Sequence, residues 1–113
     1  MSIRRQKVAK EIQRDLAVVL NRIAPRILPG ELITLVDVEV SPDLGIARIF
    51  LGFMNSKDKN RSLETVEMHQ KEIRKTFASG AGKGMRKIPE FRFILDTSMD
   101  HAERIDKLLK NLK

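Results

Sequence analysis

The sequence contains no cysteine, no tryptophan and no tyrosine, and it has only two histidines among 113 residues. Without cysteine the chain cannot form a disulfide framework, a thiolate metal site or a cysteine nucleophile. Two histidines offer little for metal chemistry, and we expect neither a metal nor a cofactor. The five phenylalanines mostly fall at core spacing, so the stacking of RNA bases on an aromatic sheet surface is poorly supported.

Long apolar segments are also missing. No apolar run approaches the roughly 18 residues of a membrane span, and the charged start, Met1 to Arg5, is not followed by the apolar region of a signal peptide. We therefore expect a cytoplasmic protein that does not enter a membrane. A chain of 113 residues suits a single domain with one modest core.

Positive charge is what the sequence has in excess. It carries 22 Lys and Arg against 15 Asp and Glu, for a formal net charge of +7. This balance favours an anionic partner, with nucleic acid as the first candidate, although a basic surface that serves only solubility gives the same count. The excess is concentrated, because residues 1–30 carry seven basic and two acidic side chains, and residues 71–87 carry six and one.

Residues 33–53 predict a β-hairpin. A period of two assigns one set of apolar side chains to a single buried face: Val36, Val38, Val40, Ala47, Ile49, Leu51 and Phe53. Between the strands, Ser41 to Gly45 has turn chemistry, because Pro42 presets φ, Asp43 can bond its own backbone and Gly45 accepts positive φ. Only one face of this hairpin is apolar, so a layer of helices is expected to cover it.

Residues 3–24 predict the first helix. Apolar side chains recur along it every three or four residues: Val8, Ile12, Leu16, Val19 and Ile23. The opposite face holds Lys7, Lys10 and Arg14. Pro25 and the Pro29-Gly30 pair are expected to end the helix, because proline removes a backbone donor and restricts the residue before it.

A bent or double helix is predicted at about 62–86, with Ser62 as its start. Helical spacing is carried by four apolar residues: Leu63, Val66, Ile73 and Phe77. The glycines at Gly80, Gly82 and Gly84 interrupt this pattern, and each costs about 1 kcal/mol relative to alanine inside a helix. A kink or break is therefore expected in that glycine-rich part.

The last segments predict a third strand and a tail helix. Phe91, Phe93 and Leu95 alternate in the strand, and Ala102 to Leu112 has the apolar spacing of a short amphipathic helix. The order helix, strand, strand, bent helix, strand, helix predicts an α+β fold with a three-stranded mixed sheet and helices on one face. We divide the chain into a domain at 1–96 and a tail helix at 97–113.

If the first helix and the bent helix pack side by side on the sheet, their cations can form one continuous surface for RNA phosphates. The candidate nucleic-acid-binding residues are Arg4, Arg5, Lys7, Lys10, Arg14, Lys71, Arg74, Lys75, Lys83, Arg86 and Lys87. Each basic segment taken alone is also explained by an ordinary solvated helix face. Two such segments confined to helices favour the binding surface.

The glycine-rich run from Gly80 to Gly84 invites a phosphate-loop interpretation, which fails at fixed positions. Phe77 stands where a Walker loop needs glycine, Gly84 stands where it needs serine or threonine, and the run follows a helix rather than a strand. Nucleotide hydrolysis is therefore disfavoured. Two interpretations stay open: a backbone that approaches RNA closely beside Lys83, and a kink needed only for packing.

No constellation of catalytic residues is present. His69 and His101 have no partners at metal-ligand spacing, and they are interpreted as ordinary surface residues. Asp37 and Glu39 belong to the exposed face of the predicted hairpin and have no nucleophile near them in the pattern. We therefore expect a protein that is not an enzyme.

Four segments together resemble a known family. They are Arg5–Gln13, Val38–Leu44 with its Ser-Pro-Asp-Leu turn, Pro89–Asp96 with Pro-Glu before a Phe-rich strand that ends in Asp, and Ala102–Ile105. In combination they resemble ribosome-binding factor A across nearly the whole chain. The resemblance implies a KH-like domain of type II that binds the small (30S) ribosomal subunit and its 16S ribosomal RNA during late maturation and rRNA processing. It also implies no catalytic activity and a role in growth in the cold.

The resemblance further implies that the two central helices bend at an Ala-x-Gly element instead of carrying the Gly-x-x-Gly loop of ordinary KH domains. Ala78-Ser79-Gly80 has these letters, and His69 to Lys71 is the alternative position for the bend. We expect a monomeric assembly factor that docks its basic helical face on ribosomal RNA. The alternative is a protein-interaction adaptor that uses the tail helix or the hairpin edge.

Overall fold

A computed structural model describes residues 3–80, 85 and 87–97 of the chain. The elements in chain order are α1 (Ile3–Ile27), β1 (Leu32–Val40), β2 (Ile46–Met54), α2 (Lys59–Met68), α3 (Gln70–Ser79) and β3 (Glu90–Leu95). This order confirms the predicted α+β architecture and matches what the resemblance to a KH-like domain implies. The predicted tail helix lies outside the described residues, and the division at residue 96 stays a prediction.

The sheet has the strand order β1-β2-β3. β1 pairs with β2 antiparallel and β2 pairs with β3 parallel, so the α2–α3 segment is the crossover. Helices cover one face, where the largest fully buried side chains of helices and strands meet: Phe77, Phe91, Ile12, Leu16, Leu20, Ile49, Leu51 and Ile73. The opposite face of the sheet carries exposed charged side chains, as the single apolar face of the hairpin predicts.

The first helix continues past Pro25, contrary to the sequence prediction, and ends at Ile27. A proline removes only its own N–H, so one backbone hydrogen bond of the last turns is lost. The helical pattern resumes directly, because the Leu28 N–H donates to the Ala24 carbonyl at 2.8 Å. Ala24 and Leu28 are both in the core, and this burial holds the chain in helical form beyond the proline.

The first strand contains a β-bulge that period-two alternation did not predict. The register with β2 shifts between Leu35 and Asp37, which makes Val36 the extra residue. Ile33 and Leu35 contact the core before the bulge, and Val38 and Val40 are buried after it. The placement of Val36 on the buried face was therefore wrong, because the bulge changes which residues point inward.

The hairpin turn forms where predicted, but its positive φ lies at Leu44 (φ 61°) and not at Gly45. The Asp43 carboxylate accepts hydrogen bonds from the Ser41 hydroxyl at 2.6 Å and from the Gly45 N–H at 3.0 Å. A side chain at Gly45 would meet this carboxylate, because a Cβ at that position would lie 3.2 Å from Asp43 Oδ2. Glycine is needed here for close approach rather than for a left-handed backbone.

The bend predicted between the two central helices lies at His69, the alternative position, where α2 and α3 separate; Gly82 and Gly84 lie outside the described residues. His69 (φ −99°, ψ 14°) ends α2 and begins α3, and its ring Nδ1 lies 2.8 Å from the Thr65 carbonyl. Gly80 instead follows the end of α3. The start also differs from the prediction, because Asp58 rather than Ser62 caps α2 by accepting from the Arg61 N–H at 3.2 Å.

Side chains bond the backbone at the outer edge of β1. The Ser41 N–H donates to the Ile46 carbonyl across the hairpin, so alternation directs the backbone groups of Val40 away from β2. Three groups along this edge are bonded by side chains: the Val40 carbonyl by Arg5 Nε, the Val36 carbonyl by Gln13 Nε2 at 3.5 Å and the Val38 N–H by the Asp37 carboxylate at 2.8 Å.

A side chain also bonds the backbone at the outer edge of β3. Glu90 and Asp96 donate their N–H groups toward β2, so the Phe91 carbonyl faces outward. It accepts a hydrogen bond from Gln70 Nε2 at 2.6 Å. Arg74 Nη2 donates to the Ile88 carbonyl, just before the strand, at 2.7 Å. Side chains therefore bond some of the outward backbone groups at both lateral edges of the sheet, and covered edges are a known protection against strand addition.

Candidate nucleic-acid interface

Three cations of α1 lie together on its solvent face. At about 100° per residue, Lys7, Lys10 and Arg14 fall within about 60° of one another and opposite the buried stripe. All three side chains are exposed. The Asp15 carboxylate accepts from Arg14 Nε at 3.1 Å and raises the pKa of the Arg14 guanidinium.

Two cations of α3, Lys71 and Lys75, are also exposed. Their position along the molecule is shown by the ion pair between Arg26 near the end of α1 and Glu72 in the first turn of α3. Arg5 contacts the opposite end of the sheet, at the hairpin turn. The rise of an α-helix puts Arg26 about 30 Å from Arg5. Lys71 is thus far from the start of α1.

Two of the predicted binding residues direct their guanidinium groups to the protein itself. Arg74 is half-buried; it bonds the Ile88 carbonyl and its Cζ lies 6.0 Å from the centre of the Phe91 ring. Arg5 is half-buried at the edge of β1 and bonds the Val40 carbonyl through Nε. Arg74 is therefore built into the fold, whereas Arg5 keeps its terminal N–H groups for other partners.

Lys87 is exposed at the hairpin end of the sheet. Hydrogen bonds from the Ser41 hydroxyl and the Gly45 N–H lower the pKa of Asp43, and the nearby charge of Lys87 lowers it further. Arg4 is exposed on the first turn of α1. Lys83 and Arg86 lie outside the described residues.

The structure therefore brings some of the predicted cations together and separates others. The first two turns of α1 lie at the hairpin end of the sheet, together with Lys87. Lys71 lies at the other end. A nucleic-acid-binding role for these side chains stays a prediction. Sequence reasoning missed Arg48 and Arg92, which are exposed on the open face of the sheet and are register partners in β2 and β3. Their outward direction follows from strand alternation, but their adjacency depends on the parallel register.

Among the described residues, no helix is long and apolar enough to cross a membrane. One concave region, of about 220 Å³, is lined by Arg5, Arg48 and Arg92. No side chain nitrogen or oxygen that is fully buried in the described part of the chain lacks a hydrogen-bond partner. Exposed charge, rather than a buried polar site, is the prominent chemical feature of this surface.

Comparison with known proteins identifies the family. The family model for ribosome-binding factor A matches residues 4–109. A ribosome-binding factor A of Chlorobium phaeobacteroides is 37% identical over 114 residues, covering 100% of this chain and 97% of the relative. The crystal structure of ribosome-binding factor A from Thermus thermophilus has a TM-score of 0.66 at 17% identity, over 80% of this chain and 94% of that one.

A second Thermus thermophilus structure, a homology model of ribosome-binding factor A fitted into the cryo-EM map of a 30S complex, has a TM-score of 0.62 at 18% identity. It covers 79% of this chain and 91% of that chain. These likenesses show a shared fold, and the sequence matches span nearly the whole chain. The protein therefore belongs to the ribosome-binding factor A family.

Proposed function

We propose that this protein binds the free small ribosomal subunit and its 16S ribosomal RNA in the cytoplasm, and that it acts without catalysis during late maturation and rRNA processing. The observation that carries this proposal is the match of the chain, over its full length, to ribosome-binding factor A. The Thermus thermophilus factor has been fitted into the map of a 30S complex. The same partner is proposed here.

The charge of the chain supports an RNA partner. A net charge of +7 attracts a polyanion, and phosphate contacts by lysine and arginine release counterions, which makes binding steeply salt-dependent. Lys7, Lys10 and Arg14 present three such charges on one exposed stripe of α1. With so few aromatic side chains on the surface, recognition is expected to depend on the shape and backbone of the RNA.

The adaptor alternative gains no support from the sheet. Strand addition needs free backbone groups along an edge, and side chains such as Arg5 and Gln70 already bond groups of both edges. The other form of this alternative, docking through the tail helix, concerns residues outside the described part of the chain. It remains distinguishable by experiment, because it predicts binding that survives moderate salt and ribonuclease.

The proposal is tested by co-sedimentation of the purified chain with isolated small subunits, whole ribosomes and naked 16S ribosomal RNA at several ionic strengths. We expect preference for isolated small subunits and affinity that falls steeply with salt. Changing Lys7, Lys10 and Arg14 together to Ala should make the slope of log K against log salt shallower by about 2 to 3, since each lost phosphate contact removes about 0.7 to 0.9.

A charge-matched control changes Lys57, Lys59 and Arg61 to Ala, which removes the same charge around the start of α2. This control should lower the affinity less and leave the slope nearly unchanged. Equal slopes for the two triple variants would show that α1 has no specific role. Binding of the wild-type chain that is insensitive to both salt and ribonuclease would refute the RNA partner itself.

A further inference from the structure

Three arginines from three separate elements line one concave site on the open face of the sheet. Arg5 comes from α1, Arg48 from β2 and Arg92 from β3, and together they line a pocket of about 220 Å³ beside the hairpin turn. The remaining lining residues are Glu39, Val40, Ser41, Pro42 and Ile46. We call this site the arginine pocket. Arg48 and Arg92 lie outside the helical face that the sequence predicts for RNA binding, whereas Arg5 belongs to the predicted set.

The register places two of these arginines side by side. Arg48 and Arg92 are direct partners in the parallel pairing of β2 with β3, and neighbouring strands are about 4.8 Å apart. Both side chains point to the open face, since Ala47, Ile49, Phe91 and Phe93 point into the core. Like charges on adjacent strands repel each other. Packing requires only a polar residue at each position, so the fold alone does not call for two arginines there.

The acidic neighbours leave the guanidinium groups available. Glu39 lies 3.9 Å from Arg48 and Glu90 lies 3.9 Å from Arg92, with all four side chains more than half exposed. Charge-assisted hydrogen bonds are about 2.7 to 2.9 Å long, and exposed ion pairs at longer distances contribute little. These two pairs are therefore weak. A phosphate, which matches the planar fork of arginine, competes well for it.

Arg5 closes the pocket from the side of α1. Its Nε bonds the Val40 carbonyl, which fixes the side chain across the edge of β1 while its terminal N–H groups remain as donors. A guanidinium held in this way loses less freedom when it binds a ligand. The pocket thus combines one anchored arginine with two that are more exposed.

We propose that the arginine pocket binds phosphates of the RNA backbone, so that the RNA interface extends around the hairpin end onto the open face of the sheet. This inference rests on the proposed function and adds to it a surface formed by Arg5, Arg48 and Arg92. The pocket contacts phosphates, not base edges, so it contributes affinity and orientation rather than sequence preference.

The test compares two double variants of the full chain for binding to isolated small subunits at four salt concentrations. Arg48→Gln with Arg92→Gln removes the pair, and Arg22→Gln with Arg61→Gln removes the same charge from exposed positions elsewhere. We expect the first variant to bind about tenfold more weakly at low salt, with a slope shallower by about 1 to 2. The control should keep the wild-type slope.

Stability measurements separate binding from folding. Removing like-charge repulsion should leave the Tm of the Arg48→Gln, Arg92→Gln variant equal to or above that of the wild type. The Arg48→Lys, Arg92→Lys variant keeps the charge but loses the fork, so its slope should stay near the wild-type slope while its affinity falls. If the glutamine variant unfolds, the single change Arg92→Gln and the lysine variant still decide the question.

The outcomes are distinct. If the wild-type chain binds small subunits and the glutamine variant binds like its control, the arginine pocket is overturned while the proposed function stands. If the wild-type chain does not bind small subunits or 16S ribosomal RNA, both fail. A selective loss in the glutamine variant together with an unchanged Tm supports the arginine pocket.

Discussion

Replacing Arg74 tests whether a cation that the sequence assigns to RNA binding serves the fold instead. In the structure its Nη2 donates to the Ile88 carbonyl at 2.7 Å and its Cζ lies 6.0 Å from the centre of the Phe91 ring. Arg74→Ala should therefore lower stability and leave the salt dependence of subunit binding nearly unchanged. The carbonyl of Ile88 lies just before β3, so the loss loosens the connection between α3 and the sheet.

The expected size follows from the two contacts. A hydrogen bond from a charged donor contributes about 1.5 to 3 kcal/mol, and a partly exposed cation–π contact adds about 0.5 to 1 kcal/mol. Allowing for water that reaches the half-buried site, we expect a loss of about 2 to 3 kcal/mol. With a urea m-value of about 1 to 3 kcal/mol/M, the midpoint of unfolding should fall by about 0.7 to 3 M.

The assay is urea unfolding followed by circular dichroism, combined with co-sedimentation with small subunits at several salt concentrations. Lys75→Ala is the matched control, because Lys75 is the next residue of α3 and is exposed. It should change stability by less than about 0.5 kcal/mol. Arg74→Lys should recover only part of the loss, since lysine lacks the planar fork. An Arg74→Ala variant with unchanged stability and a shallower salt slope would refute the structural role.

Two further outcomes are expected. The pKa of Asp43 is lowered by the hydrogen bonds that its carboxylate accepts in the turn. The ionised carboxylate therefore stabilises the fold at pH values above the ordinary aspartate pKa of about 3.9. This contribution is lost as the pH falls through the lower pKa of the folded state. Asp43→Asn should thus lower the Tm more at pH 6 than at pH 2, and an equal difference at both pH values would contradict the turn contacts. Phe77→Ala should lower the free energy of unfolding in urea by about 3 to 5 kcal/mol, because Phe77 is fully buried and its ring centre lies 5.4 Å from that of Phe91. The control is the same change at Phe50, which is half-buried on the open face of the sheet and should cost clearly less. Similar costs for the two variants would show that Phe77 is not central to the core.

The fold was predictable where periodicity and turn chemistry agree. The hairpin, the apolar stripe of α1 and the alternating phenylalanines of β3 each follow from side chains that must reach one core. The errors occurred where a single residue alters a regular pattern. Val36 is the extra residue of a β-bulge. Pro25 lies within a helix, because neighbouring residues of that helix pack into the core. The sequence of β1 does contain a signal for the bulge. Ile33 and Leu35 are odd-numbered whereas Val38 and Val40 are even-numbered, so strict alternation cannot place all four on one face.

The candidate site was less predictable than the fold, because a surface joins residues that are distant in sequence. Counting charges by segment found the stripe of Lys7, Lys10 and Arg14, which depends only on helical spacing. It did not show that Arg74 bonds a backbone carbonyl, nor that Arg48 and Arg92 are neighbours. Both facts come from the crossover that sets β3 parallel to β2, and that register is not encoded in local spacing.

The side chains that bond the sheet edges also affect how copies of this chain behave when crowded. A bare strand edge recruits identical strands, and repetition of that step gives the stacked cross-β order of fibrils. Here a new strand would first have to displace Arg5 from β1 or Gln70 from β3. Addition of a strand at either side of the sheet is therefore opposed where these side chains bond the edge.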